Sequence, residues 1–262
     1  MGAASRRRRF VFLEVFAGLA GLSAAISRLG YASLPIDIEL GDFHDVLRPV
    51  VRAVIRGWIS SQAIAAVWIA TPCTSWSTAR RGPPSSGWGP LRSASHLEGL
   101  PDLRPADQQK VLLGNQTRDF TVWLVQLCVS CGVPVIVENP IGSRLWSSAP
   151  FQRLRMLPGH NETIIDMCGF NEAYRKRTRL WSWCAPDLSS IARRCTAQGS
   201  CSFSGVPHQV LSGRHPTLGK LWTLVAQPYP LRLCEAVAEL LTNHVEDKRS
   251  KKTSDLWCGL RP

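Results

Sequence analysis

Short apolar runs that each stop at an unusual polar group or a glycine-rich turn are the feature that most limits how this chain can fold. "FVFLEVF" at 10–16 runs into "AGLAG", and "ASLPIDIE" at 32–39 ends in acids. "AAVWIA" at 65–70 meets "TPC", and "VPVIV" at 133–137 meets "ENP". Residues 10–16 are apolar at nearly every position, as in a strand covered on both faces. Stretches of helical character lie between these runs. Gly18 and Gly21 open one that ends near Gly30, and "VLRPVVRAVIRGWISS" is a second. A third spans about Pro105 to Cys131, with Pro-Ala-Asp at its start and Gly132 after its end. "DFHD" at 42–45 is expected to add a short strand. Strands alternating with helices predict an α/β fold with a doubly wound, mostly parallel sheet. Such sheets bind ligands at the carboxyl ends of their strands, and every polar break falls there.

The rest of the chain is less regular. Residues 82–105, rich in Gly, Pro and Ser, read as a long loop of the functional or mobile kind. After Ile165 the pattern breaks into short pieces. The expected organisation is a main domain over 10–181, a short recognition or Cys/His-rich segment over 182–214, and a C-terminal helix over 215–246 packing back on the domain. Basic flexible tails are expected at 1–9 and 247–262. The chain carries 31 Lys and Arg against 19 Asp and Glu, a formal net charge of +12. That balance points to a polyanion, with nucleic acid ahead of an anionic membrane surface. Nine cysteines without dense spacing fit a reducing, intracellular compartment, nuclear in a eukaryote and cytoplasmic in a prokaryote. "RRRR" at 6–9 reads equally as an import signal or a solvated charge run. No run is long enough to span a bilayer, and a monomer is expected.

Four of the strand-end motifs together resemble the cytosine-5 DNA methyltransferases, over most of residues 10–181 and in that family's order. "VFAGLAGLS" is similar to the glycine-rich turn that holds S-adenosylmethionine. "TPCTSWS" is similar to the Pro-Cys nucleophile motif, "VENP" to the Glu-Asn motif, and "RKRTR" to the paired-arginine motif. The resemblance implies a Rossmann-like, class I methyltransferase fold, S-adenosyl-L-methionine as cofactor and DNA as partner.

It also implies roles. Phe16, Ala17, Gly18, Gly21 and Leu22 would form the cofactor turn, where glycine permits close backbone approach and a helix start offers unpaired N–H groups. Asp37 would accept from ribose hydroxyls, with Ile38 beside it. Asp45 would lie near the adenine amino group, with Asp42 and His44 as close competitors. Pro72 would border the cofactor and aim the thiol of Cys73. As nucleophile, Cys73 would add to C6 of cytosine, since a thiol ionises near neutral pH and a serine needs a base. Arg80 and Arg81 would favour the thiolate. Glu138 would bond the N3 and N4 edge, helped by a raised pKa, while Asn139 braces the loop. Arg177 and Arg179, two apart on an extended segment, would face the same way and reach the base or a phosphate. Ser77, Arg80, Arg81, Trp88 and Arg92 are the expected nucleic-acid contacts around a flipped-out base.

The chain departs from the family in three places. Ala20 stands where glycine is frequent. Proline follows "EN" in place of valine. The recognition region shrinks to about Trp183–Arg214, with no evident late Asn motif. Within that region Cys184, Cys195, Cys201 and His208 form a potential zinc set, although the absence of a close C-x-x-C pair favours reduced thiols. Cys128 and Cys131 do form C-x-x-C, but inside an apolar helix, and read as core. Two other functions stay open: a catalytically degenerate nucleic-acid-binding protein, and methylation of RNA or of another base atom.

Overall fold

The computed structural model describes residues 10–80, 82, 89–196 and 198–258. Six strands form one sheet: β1 (Val11–Val15), β2 (Ala32–Ile36), β3 (Ile64–Ile69), β4 (Val135–Pro140), β5 (Asn161–Asp166) and β6 (Arg177–Trp183). Their order is β2-β1-β3-β4-β6-β5. β1 pairs in parallel with β2 and β3, and β3 with β4, whereas β6 runs antiparallel to both β4 and β5. The fold is α/β, doubly wound and Rossmann-like, with a small irregular region after β6. The strand order reverses direction at β1/β3, which puts the switch-point crevice between the ends of those two strands.

Two apolar layers sandwich the sheet. On one face α2 (Pro49–Ser60), α3 (Pro105–Ser130) and α4 (Ala149–Leu154) bury Val51, Ile55, Ile59, Phe120, Leu124 and Leu154 against Leu13, Val15, Val67, Val135 and Trp181. On the other, α1 (Gly21–Arg28) and α6 (Leu231–Cys258), which follows the one-turn α5 (Trp222–Val225), bury Leu22, Ile26, Leu233, Val237 and Leu241 against Phe12, Trp68, Ile136 and Leu180; these five belong to α1 and α6. Each fully buried Leu or Ile contributes roughly 1.5–3 kcal/mol. Consecutive strand residues divide between the layers, as a period of two requires. α2 and α3 each begin at a proline, whose missing N–H costs nothing in a first turn.

Three boundaries differ from expectation. "DFHD" is not a strand. Asp42–His44 and Ile38–Leu40 are one-turn 3₁₀ helices separated by Gly41 at φ 115°. The side chain of Asp37 accepts from Glu39 N, and such local bonds compete with sheet pairing. β6 continues through Trp183, because its ladder with β4 reaches Val135. α6 runs past residue 246 to Cys258, since the stretch expected as a loose tail includes Lys248, Arg249, Lys251 and Lys252, residue types that favour a helix. Tyr31 fastens this helix to the domain by donating its hydroxyl to Glu246 Oε1 at 2.9 Å. The edge strand β2 carries Pro35 in its ladder opposite Glu14. No helix among the described residues is long and apolar enough to cross a membrane.

Candidate functional site at the strand ends

The turn after β1 is left-handed at alternate positions. Phe16, Gly18 and Ala20 have φ of 58°, 50° and 53°, a cluster of sparsely populated backbone states of the kind found at ligand sites. The chain is held there by Ala17 N donating to Ile36 O at 3.1 Å and Gly18 N donating to Asp37 Oδ2 at 2.8 Å. Asp37 thus ties the end of β2 to the turn after β1. Leu19, Ile38 and Phe43 are 78%, 63% and 86% exposed around it. Asp45 caps its own turn by accepting from Leu47 N. Leu22 departs from expectation: its side chain is core, and its amide is turned to the carboxyl of Glu14. Glu14, buried in β1, accepts from Ser23 N at 2.7 Å. Burial raises its pKa despite these bonds.

The segment after β3 carries Pro72 and Cys73, both half-buried. It is strapped to the end of β4 and the loop after it by three bonds: Asn139 Nδ2 to Thr71 O at 2.5 Å, Thr78 Oγ1 to Gly142 O at 3.0 Å, and Arg144 N to Trp76 O at 2.9 Å. Asn139 is therefore a brace, as its sequence position suggests. Ser77 lies in this turn and accepts from Ala79 N.

Cys73 and Glu138 are close enough to feel each other's charge. Burial pushes the thiol up, the Glu138 charge adds to this, and Lys176 pulls it down. Burial likewise raises Glu138, opposed by Lys176 and by a hydrogen bond from Tyr229. Tyr229 OH donates to Glu138 Oε2 at 3.0 Å and accepts from Trp68 Nε1 at 3.0 Å. Glu138 Oε1 is buried without a hydrogen-bond partner. An orphaned buried carboxyl oxygen is costly unless a ligand completes it.

Arg177 and Arg179 do face the same way, but away from Glu138. Arg179 stands opposite Asn139 and Leu180 opposite Glu138, so the pair and the glutamate project from opposite faces. Arg177 Nε lies 3.2 Å from Asp166 and Arg179 Nε 3.1 Å from Glu162. The cation on the glutamate's side is Lys176, held at φ 21° and donating to Ala226 O at 2.8 Å. Sequence reasoning passed over both Lys176 and Tyr229. The first is hidden in an arginine run, and the second reaches the site only through the turn before α6.

Arg92 also departs from expectation. It is 1% exposed and donates to Ser75 O, Ser75 Oγ, Val111 O, Leu97 O and Asn115 Oδ1. Its guanidinium lies 3.4 Å over the Trp76 ring. Burial lowers its pKa to about 10. It is an internal strut of the Cys73 loop and has no free donor for a nucleic acid. Arg80 is mostly covered, donating to Gly89 O at 2.9 Å and pairing with Asp107 at 3.9 Å. It is not among the charges that shift Cys73. Arg81 and Trp88 lie outside the described residues. Cys128 is core, as expected.

Cys195, Cys201 and His208 do come together, but Cys184 is not with them. Cys168, from the turn after β5, takes the fourth place. Cys184 follows β6 at φ 53°.

No family model matches the chain, and no curated protein matches it significantly. Solved structures with similarity include the Entamoeba histolytica methyltransferase EhMeth, at 10% identity and a TM-score of 0.39, over 68% of this chain and 54% of that one. The S. pombe Dnmt2 methyltransferase matches at 12% identity and a TM-score of 0.39, over 73% and 58%. The chain thus spans little more than half the length of either.

Proposed function

We propose that this protein transfers a methyl group from S-adenosylmethionine to C5 of cytosine in DNA, with Cys73 as nucleophile. The observation that carries the reading is the Cys73–Glu138–Lys176 cluster at the ends of β3 and β4, with one carboxyl oxygen of Glu138 buried and unbonded. Both raised pKa values agree with a closed site that a planar base completes. The motif resemblance and the charge of +12 support a nucleic-acid substrate.

The cofactor fits the turn after β1. Bare backbone at Gly18, the switch-point crevice and the exposed apolar fringe of Leu19, Ile38 and Phe43 suit a nucleoside with an amino-acid tail. Asp37 has the position to meet the ribose, at the expense of its bond to Gly18 N. When bound, this cofactor supplies an electrophilic methyl group. The target base must leave the helix stack to reach the site. Glu138, its pKa raised by burial, donates its proton toward N3. Cys73, its thiol proton passing to water, bonds to C6 and makes C5 nucleophilic. After C5 takes up the methyl group its own proton passes to water, the C6–S bond breaks to release the thiolate, which regains a proton from water, and N3 returns its proton to Glu138, restoring the ring. Lys176 supports the thiolate during addition.

The test is trapping with DNA containing 5-fluorocytosine, whose C5 substituent cannot leave as a proton. The expected product is a covalent adduct, located by mass spectrometry at Cys73 and absent from Cys73→Ala. An RNA oligonucleotide of the same sequence serves as the second arm. Undiminished methyl transfer by Cys73→Ser would overturn the thiol mechanism. No transfer to either nucleic acid would leave a binding protein.

A further inference from the structure

A second polar cluster lies outside the proposed chemistry. Cys168 belongs to the 3₁₀ turn Met167–Phe170 at the end of β5. Cys195, Cys201 and His208 come from the irregular chain after β6. One ligand atom from each lies within 4.8 Å of all the others, and the three cysteines are buried. Cys195 Sγ is 3.9 Å from Cys201 Sγ and 3.7 Å from His208 Nε2. A disulfide needs about 2.05 Å, so that sulfur pair is not a disulfide. Ligands about 2.3 Å (sulfur) and 2.0–2.1 Å (nitrogen) from a central zinc, at tetrahedral corners, stand roughly 3.6–3.8 Å apart. The Cys195–Cys201 and Cys195–His208 separations lie close to the edges of that tetrahedron, and the others fall within 4.8 Å.

We propose that Cys168, Cys195, Cys201 and His208 bind a structural zinc ion that pins the segment after β6 to the end of β5. Three thiolates and an imidazole are a donor set suited to zinc. Four protein ligands close the coordination sphere, which makes the site structural and not catalytic. The surroundings are built for thiolates. Ser202 N and Ser202 Oγ each lie 3.4 Å from Cys195 Sγ, and Phe203 N donates to Cys201 Sγ at 3.5 Å. Such donors orient ligating sulfurs and neutralise their charge. The backbone is fixed independently. Asp166 Oδ2 accepts from Cys195 N at 2.8 Å, and Arg175 Nη2 donates to Cys195 O at 2.6 Å. Cys201 N donates to Val206 O at 2.8 Å, with Gly205 at φ 74° turning the chain toward His208. Beside Cys168, Gly169 lies so close under Arg193 that a Cβ would stand 2.7 Å from Arg193 Cβ. Binding would release the three thiol protons to solvent.

The ion would brace more than its own loop. Asp166 holds Cys195 N with one oxygen and Arg177 with the other, so the metal-held segment and the arginine strand share one carboxylate. This inference stands whether or not the protein methylates anything.

The experiment is elemental analysis of the full chain, purified from zinc-supplemented medium without chelator. One zinc per chain is expected. Cys168→Ser and His208→Ala should lower that stoichiometry, and Cys184→Ser should leave it at one. Because a ligand variant can misfold, the wild-type protein is also exchanged into cobalt(II), which should give thiolate charge-transfer bands and intense tetrahedral d–d bands. Chelation should then lower the melting temperature. A wild-type chain with neither zinc nor a cobalt spectrum overturns the proposal. So does full zinc retention in Cys168→Ser, or its loss in Cys184→Ser.

Discussion

Tyr229 donates its hydroxyl to one carboxyl oxygen of Glu138 and leaves the other buried and unbonded. The two residues are far apart in sequence, and they set the protonation of the site between them. The bond from Tyr229 favours the ionised carboxylate, while burial, the larger influence, opposes it. Removing the hydroxyl in Tyr229→Phe therefore raises the Glu138 pKa further. The alkaline limb of the rate profile, where Glu138 loses its proton, should move to higher pH. A kcat/KM profile between pH 5 and 10 checks the direction, and a downward shift would sink the assignment.

Glu138→Gln should separate activity from stability. The folded-state pKa of Glu138 is raised, so folding takes up a proton, and its contribution to stability falls as pH rises from the unfolded value of about 4 through the folded one. Gln lacks that proton equilibrium. The variant should gain in melting temperature relative to wild type at pH 8 and gain little near pH 4. Its methyl transfer should fall by about 10²–10⁴, the usual worth of a positioned general acid. Melting curves at the two pH values, with transfer assays, measure both effects.

Lys176→Met should make Cys73 harder to ionise. Lys176 is the charge that lowers the thiol against burial and Glu138, alongside a smaller backbone hydrogen bond, so its loss raises the pKa. Alkylation of the Cys73 peptide by iodoacetamide, followed by mass spectrometry against pH, should show the reactive form appearing at higher pH. Arg80→Met should leave the profile in place, since Arg80 is engaged by Gly89 O and Asp107.

Gly114→Ala should disrupt the Cys73 loop from beneath. A Cβ there would collide with Ser75 Oγ and lie 2.9 Å from Arg92 Nη2. Neither side chain can yield, because Arg92 fills five acceptors and covers Trp76. Overpacking of this kind costs typically 1–3 kcal/mol. Arg92→Ala should be destabilising as well, since each buried neutral acceptor it leaves unpaired costs about 1–3 kcal/mol. Urea denaturation gives both values. The salt dependence of DNA binding should not change in Arg92→Ala, in contrast to a phosphate-contacting arginine.

Gly18→Ala and Gly30→Ala should lose similar stability but differ in their effect on cofactor binding. Both glycines are left-handed, at φ 50° and 84°, and at neither would an added methyl carbon meet another atom within 4 Å. The cost is backbone strain alone, about 1–2 kcal/mol each. Calorimetry should show weaker S-adenosylmethionine binding only for Gly18→Ala, whose amide meets Asp37.

The legible parts of this protein were those encoded locally. The ends of β1, β3 and β4 announce themselves because an apolar run stops at Gly, Pro-Cys or Glu-Asn within a few residues. What stayed hidden depends on pairing across the sheet. The side taken by Arg177 and Arg179 follows from Arg179 standing opposite Asn139, a register no spacing reveals. Arg92 reads as a surface cation because its five acceptors come from three separate stretches of chain. Cys168 escaped the metal set because it sits before β6 and Cys184 just after it. Only the antiparallel return of β6 beside β5 brings the earlier cysteine to the later segment.

Pro35 has a consequence at the margin of the sheet. A proline in an outermost strand withdraws one amide from the row that a foreign strand would have to match. At the opposite margin β5 begins with exposed Asn161 and Glu162, where a charge discourages stacking of a neighbour. Both borders are thus poor templates for ribbon-like growth, and copies of this chain that meet at high concentration should associate through side-chain surfaces without extending the sheet.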